Sequence, residues 1–177
     1  MDVRCTLLAA ALASLLAGCA DSPASPSAPV ASTNASIAGE WIGRYRETRC
    51  TPRLAGPTCS QRFKIGEPEF NFTLTFTQDG NRLAGTFDVE PRPLEAHAKG
   101  ALSGVVNGTA VELSALLPWQ DQLFPDVYGT QEVKQFLAVV DSSGLTMSGS
   151  FTMIHKDRDV ENFTTESQIL SLTKRQP

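Results

Sequence analysis

The feature that most limits the fold of this chain is an alternation with a period of two residues. Phe70, Phe72, Leu74 and Phe76 are separated by Asn71, Thr73 and Thr75. Side chains along an extended strand point alternately to opposite faces, so this run predicts a strand with one apolar and one polar face. The turn Asp79-Gly80-Asn81 leads into a second run, Leu83, Gly85, Phe87 and Val89. Leu102, Gly104 and Val106 pass through Asn107-Gly108 to Val111, Leu113 and Ala115. Asn-Gly between two alternating runs is the strongest short hairpin signal, because both residues tolerate the positive φ that a tight turn requires. Further strands are predicted around Trp41–Thr48, over Val133–Val140, from Leu145 to Met153 after Ser142-Ser143-Gly144, and from about Phe163 to Lys174, with Leu170 and Leu172 apolar. No stretch has the 3.6-residue period of an amphipathic helix. Eight consecutive one-faced strands predict an all-β, antiparallel up-and-down barrel, whose closure removes both exposed sheet edges.

Two details shape that barrel. Leu83-Ala84-Gly85, Leu102-Ser103-Gly104 and Met147-Ser148-Gly149 form a weak repeat. Glycine inside a strand marks a bend or a close approach and fits a small, tightly curled barrel. The connections also alternate in length. Those after strands two, four and six are tight, whereas Cys50–Glu69, Glu90–Ala98, Leu117–Glu132 and His155–Asn162 are long. In an up-and-down barrel this places every long connection at one end. The expected molecule has one plain end and one elaborated mouth, where ligands of β-barrels commonly bind.

Residues 1–18 read as an export signal: Arg4, then an apolar run from Leu7 to Ala17 that is too short to span a bilayer. Leu16-Ala17-Gly18-Cys19 resembles the lipobox of bacterial lipoproteins. The resemblance implies cleavage before Cys19, palmitate-type acylation of that cysteine and a stable membrane anchor. Ala20 rather than Asp follows Cys19, which by the enterobacterial sorting rule implies the outer membrane, facing the periplasm. Residues 19–36 are Ala-, Ser- and Pro-rich and read as a flexible tether, leaving 37–177 as the barrel domain. Cys50 and Cys59 are then the only thiols of the mature domain, and in an oxidising compartment such a pair reads as a disulfide.

Within the barrel, Gly39-Glu40-Trp41 matches the G-x-W motif of lipocalins at the start of the first strand. The alternation of long and tight connections matches the lipocalin plan as well. The resemblance implies that Gly39 and Trp41 build the barrel floor, and that a basic residue late in the last strand, Lys174 or Arg175, packs across the tryptophan. The family's T-D-Y motif has no counterpart, since the turn between strands six and seven reads Asp141-Ser142-Ser143-Gly144. Avidins and periplasmic metalloprotease inhibitors share the small-barrel plan.

The net charge of −4 is modest, and no basic stripe points to nucleic acid. No G-x-S-x-G pattern or cluster of catalytic carboxylates is present, so no catalytic residue is assigned and the expected protein is not an enzyme. His97 near Glu95 lacks a neighbouring nucleophile. His155, Asp157 and Asp159, flanked by Lys156 and Arg158, read as a solvated turn, and no metal or cofactor is expected. The best contact candidates are Trp119, Phe124 and Tyr128, in a segment that also holds Pro118, Leu123, Pro125 and Val127. Such a segment either packs over the mouth or presents an apolar contact surface. The sequence thus points to a binding module for a small apolar or amphipathic ligand at the mouth. The alternative is an interaction or inhibitor lipoprotein with a filled barrel. Inward Phe, Leu and Met favour filling, and the strand glycines favour space.

Overall fold

Each alternating run forms a strand, and the strands pair strictly in chain order. In the computed structural model the order is β1 (Gly39–Pro52), a single helical turn α1 (Cys59–Arg62), β2 (Glu69–Asp79), β3 (Arg82–Val89), β4 (Ala98–Asn107), β5 (Ala110–Gln120), β6 (Tyr128–Val140), β7 (Met147–Asp157) and β8 (Val160–Lys174). Residues 33–55, 58–62, 64–90, 97–121, 123–124, 126–158 and 160–176 are described. The export signal, Cys19 and most of the tether lie outside them, as do Glu95, Pro125 and Asp159. Every neighbouring pair is antiparallel, and β1 also pairs with β8, from Trp41 opposite Lys174 to Pro52 opposite Phe163. The sheet is therefore a closed eight-stranded up-and-down barrel. Ser32–Pro177 forms one compact unit with its own core.

The inward positions are those the alternation predicts on β2 to β5, and each apolar residue named there is buried. Bulges shift the pattern elsewhere. On β8 the register slips between Arg44 and Tyr45 of its partner, so Ile169 and Leu172 face inward and Leu170 does not. On β6 a slip after Val133 turns Phe136, Ala138 and Val140 inward and leaves Leu137 and Val139 exposed. An extra residue in one strand reverses the facing of everything beyond it, and it leaves no mark in a hydrophobic count.

The plain end holds the turns after β2, β4 and β6 and is closed by Trp41. Its indole Nε1 donates to the Ile37 carbonyl at 2.8 Å. Lys174 Nζ lies 5.9 Å from the ring centroid and donates to the Ser36 carbonyl at 3.3 Å. Of the two basic residues the resemblance offered, Lys174 is thus the one that packs on the tryptophan. Arg175 turns out to pair with Glu40 at 3.0 Å. Asn34 and Ala35 seal the same end through hydrogen bonds with Gly108.

At mid-height the interior is filled by rings. Tyr45, Phe72, Phe87, Phe136 and Phe151 meet one another at centroid distances of 4.9 to 6.3 Å. The strand glycines do not open space within this waist. A Cβ on Gly85 would lie 1.7 Å from the Thr75 carbonyl oxygen, and one on Gly149 would lie 2.1 Å from that of Leu137. Backbone of the neighbouring strand already occupies the place, so these glycines let strands approach rather than make room for a ligand.

The connections need one correction. β7 runs to Asp157, which pairs with Val160, so only two residues separate β7 from β8. Arg158 adopts a positive φ of 56° there. Strand β5 likewise continues through Pro118 to Gln120, and β6 begins at Tyr128. The mouth therefore carries three longer connections, not four, and the one after β5 is confined to residues 121–127.

Candidate functional site

The mouth is built by the ends of β1, β3, β5 and β7 and the starts of the strands that follow them. Cys50 and Cys59 form a disulfide with Cα atoms 5.9 Å apart, tying the start of the first mouth connection to α1. At the opposite side of the rim, Trp119 pairs with Gly129 and Gln120 with Tyr128. Trp119 is half-buried, and the Lys156 carbonyl and the Trp119 ring together fill the place where a side chain on Gly129 would stand. Trp119 and Tyr128 are thus strand residues, whereas Phe124 lies in the loop between them.

That loop is held by one aspartate. Asp121 Oδ1 accepts from the backbone N–H groups of Leu123 (2.8 Å) and Phe124 (2.9 Å), and its own N–H donates to the Val127 carbonyl. This Asx-type turn fixes the course of the described loop residues. Leu123 is 76% exposed, Phe124 65% and Tyr128 50%. The loop does not fold down on its own barrel; it presents an apolar surface. Below it, His97, Pro118, Trp119, Gln120, Tyr128, Gly129 and Thr130 line an open depression of about 630 Å³.

Next to this depression Asp88 is bracketed by an imidazole and an ammonium group. It hydrogen-bonds His97 Nε2 and lies 3.0 Å from Lys99 Nζ. Partial burial raises its carboxyl, but the hydrogen bonds from His97 and Lys99 outweigh that and hold it below the usual carboxylate range. His97 is therefore engaged as a hydrogen-bond partner of Asp88. His155 and Asp157 are not brought to a common point: His155 Nε2 bonds Thr165 Oγ1 at 2.9 Å, whereas Asp157 accepts from Asn162 at the rim. Among the described residues no group of three or more His, Cys, Asp or Glu side chains is arranged to hold a metal.

The interior changes character above the aromatic waist. Below it the described inward residues are apolar apart from Gln78, whose side chain bonds the Ile37 N–H and the Ala35 carbonyl. Above it, four adjacent strands carry an arc of inward polar residues: Gln131 on β6, His155 on β7, Thr165 and Ser167 on β8, and Glu47 on β1. The arc runs from strand to strand: Gln131 faces His155, His155 Nε2 bonds Thr165 Oγ1, and Ser167 faces Glu47. Thr165 is fully buried, and Ser167 and Glu47 are each 2% exposed. Two polar atoms of the arc, Gln131 Oε1 and Ser167 Oγ, are buried without a hydrogen-bond partner. An unmet buried polar group costs about 1–3 kcal/mol, so such atoms are rare in folded proteins.

Sequence reasoning missed this arc. Period two from Trp41 through Tyr45 does place Glu47 inward, and period two from Phe163 places Thr165 and Ser167 inward. Apolar residues alone were counted as interior, and that criterion hides a polar wall. No family model, curated protein or solved structure matches this chain, so what the mouth binds is argued from its own residues.

Proposed function

We propose that this protein is an envelope lipoprotein, anchored through acylated Cys19, whose barrel binds a small amphipathic ligand at its mouth. The observation that carries the reading is the vertical change in the interior. The floor and waist are filled with Trp41 and the ring cluster, so a ligand has no place in the lower barrel. The upper wall offers buried polar groups, two of them unmet, beneath a rim of exposed Leu123, Phe124 and Tyr128. Polar groups inside and apolar groups at the rim suit a molecule that enters head first and leaves its apolar part against the loop. A purely apolar ligand would leave the arc unmet, so the amphipathic alternative is the one supported.

The exposed loop favours a second reading, in which the rim grips another envelope protein. Four large apolar side chains, Leu123, Phe124, Val127 and Tyr128, are close in sequence and open to solvent, as at protein interfaces.

The test is a native mass spectrum of the chain from Ala20 onward, purified from a periplasm; it retains the whole barrel and its disulfide. A mass excess that disappears on denaturation supports the ligand reading and yields the molecule. A bare mass together with no change in Trp119 fluorescence on adding short-chain amphiphiles turns the assignment to the protein-binding rim. Retention of the mature chain in the aqueous phase of a detergent partition would refute the anchor.

A further inference from the structure

We infer that the loop after β5 and the depression beneath it make one self-complementary surface, by which the protein pairs with a second copy of itself. The pairing is separate from binding at the mouth. Pro118 and Thr130, which line the depression, pair with each other on the outside of the wall, since Leu117 before Pro118 and Gly129 before Thr130 are the buried, inward positions. Contact there does not pass through the barrel interior.

The surface holds a projection and a hollow side by side. Leu123 and Phe124 project into solvent, with their backbone held by Asp121. Together with Val127 and Tyr128 they expose roughly 500 Å², near the upper end for an apolar patch on a monomer. The hollow beneath, about 630 Å³, has Pro118, Trp119 and Tyr128 as its apolar lining and can take the two projecting side chains. A two-fold axis between projection and hollow sets each loop into the other copy's hollow, the reciprocity of a symmetric dimer. A bilayer would take up the loop but offers nothing shaped for the hollow. Charge points the same way. The segment from Asp121 through Asp126 to Val127 carries two acids and no base. The wall around the hollow carries Lys99, Lys134 and Lys156 against Asp88 and Glu132, with His97 in the lining. An acidic, apolar loop thus meets an apolar hollow with a surplus of ammonium groups, and one chain supplies both halves. Covering the patch on two copies removes about 1,000 Å² from water, the size at which specific interfaces begin, so the pairing is of micromolar strength.

Sedimentation equilibrium of the chain from Ala20 onward, from about 1 to about 200 μM, brackets a micromolar dissociation constant. A monomer is expected at the low end and a dimer, nothing larger, at the high end. Trp41 is buried beneath Lys174, so tryptophan emission that shifts with concentration would report Trp119 in the hollow. Three variants locate the contact. Leu123→Ser with Phe124→Ser removes the projection and should weaken pairing about a hundredfold. Thr130→Trp fills the hollow, leaves the loop intact and should weaken pairing about as much. Asp126→Lys, at an exposed position, should weaken it about threefold to tenfold. Melting temperatures check that each variant folds; should Thr130→Trp fail to, Asp126→Lys and the loop variant decide. A dimer that survives the loop variant, or is indifferent to Thr130→Trp in a folded chain, would overturn the inference, as would assemblies growing beyond two. A chain that stays monomeric throughout would overturn it as well. If that monomer then floats with phosphatidylcholine vesicles, and the loop variant does not, the loop belongs to a bilayer; if it ignores them, the loop belongs to a different protein. None of these outcomes bears on the mass excess that tests binding at the mouth.

Discussion

At the scale of single residues, Trp41 carries the floor. It is fully buried, its ring is covered by Lys174, and its N–H is satisfied by the Ile37 carbonyl. Replacing it with alanine removes the largest side chain of the lower core and leaves a cavity. The expected loss is about 3–5 kcal/mol in a urea titration, and Lys174→Ala should lose only about 0.5–1 kcal/mol. Gly85 makes the opposite case, where adding atoms is the damage. The methyl group of Gly85→Ala would strike the Thr75 carbonyl, so we expect a loss of about 1–3 kcal/mol or failure to fold. Much of this was legible from residues alone, because G-x-W and the strand glycines have few uses in a small barrel. The purpose of the glycines was not. A glycine looks the same in sequence whether it opens a cavity or admits a neighbouring backbone, and here the neighbour is the Thr75 or Leu137 carbonyl.

At the scale of elements, β2 to β5 could be read to within a few residues, since alternation and Asn-Gly turns act locally. The ends of β5, β6 and β7 could not. Pro118, Trp119 and Tyr128 look like loop residues, yet they pair across the rim because their neighbours impose it. The bulges on β6 and β8 were invisible for the same reason. The candidate site divides along this line: its rim was legible as a cluster of aromatics, and its arc was not, because a polar residue at an inward position looks like one at an outward position. The mouth connection after β1 makes its own prediction. Cys50 and Cys59 are nine residues apart in sequence and close a small loop. Reduction, or replacement of both by alanine, should lower stability by about 2.5–3 kcal/mol through release of the unfolded chain. A guanidinium titration with and without dithiothreitol measures it directly.

At the scale of the whole molecule, three of the described carboxylates sit below their ordinary range in the folded state. Asp88 is held there by His97 and Lys99 against the opposing effect of burial, Glu132 by Lys134 and Lys156, and Asp141 by Ser143 and the N–H groups of the turn before β7. A folded-state pKa below the unfolded one stabilises above the unfolded value, and that stability is lost as pH falls through the folded value. The melting temperature should therefore hold near neutral pH and fall once the pH drops below about 4, where carboxylates of the unfolded chain take up protons. Asp88→Asn should flatten part of that fall. The count of strands has a further consequence. Because eight is even, the chain enters and leaves at the same end, where Trp41 pairs with Lys174 and Arg175 bonds Glu40. A short peptide joining residue 176 to residue 33, with new termini opened between β7 and β8, would re-thread the chain without displacing a single rung of the sheet. Such a circular permutant would carry its termini at the mouth, and whether a bound molecule could still enter would report how much of the rim it uses.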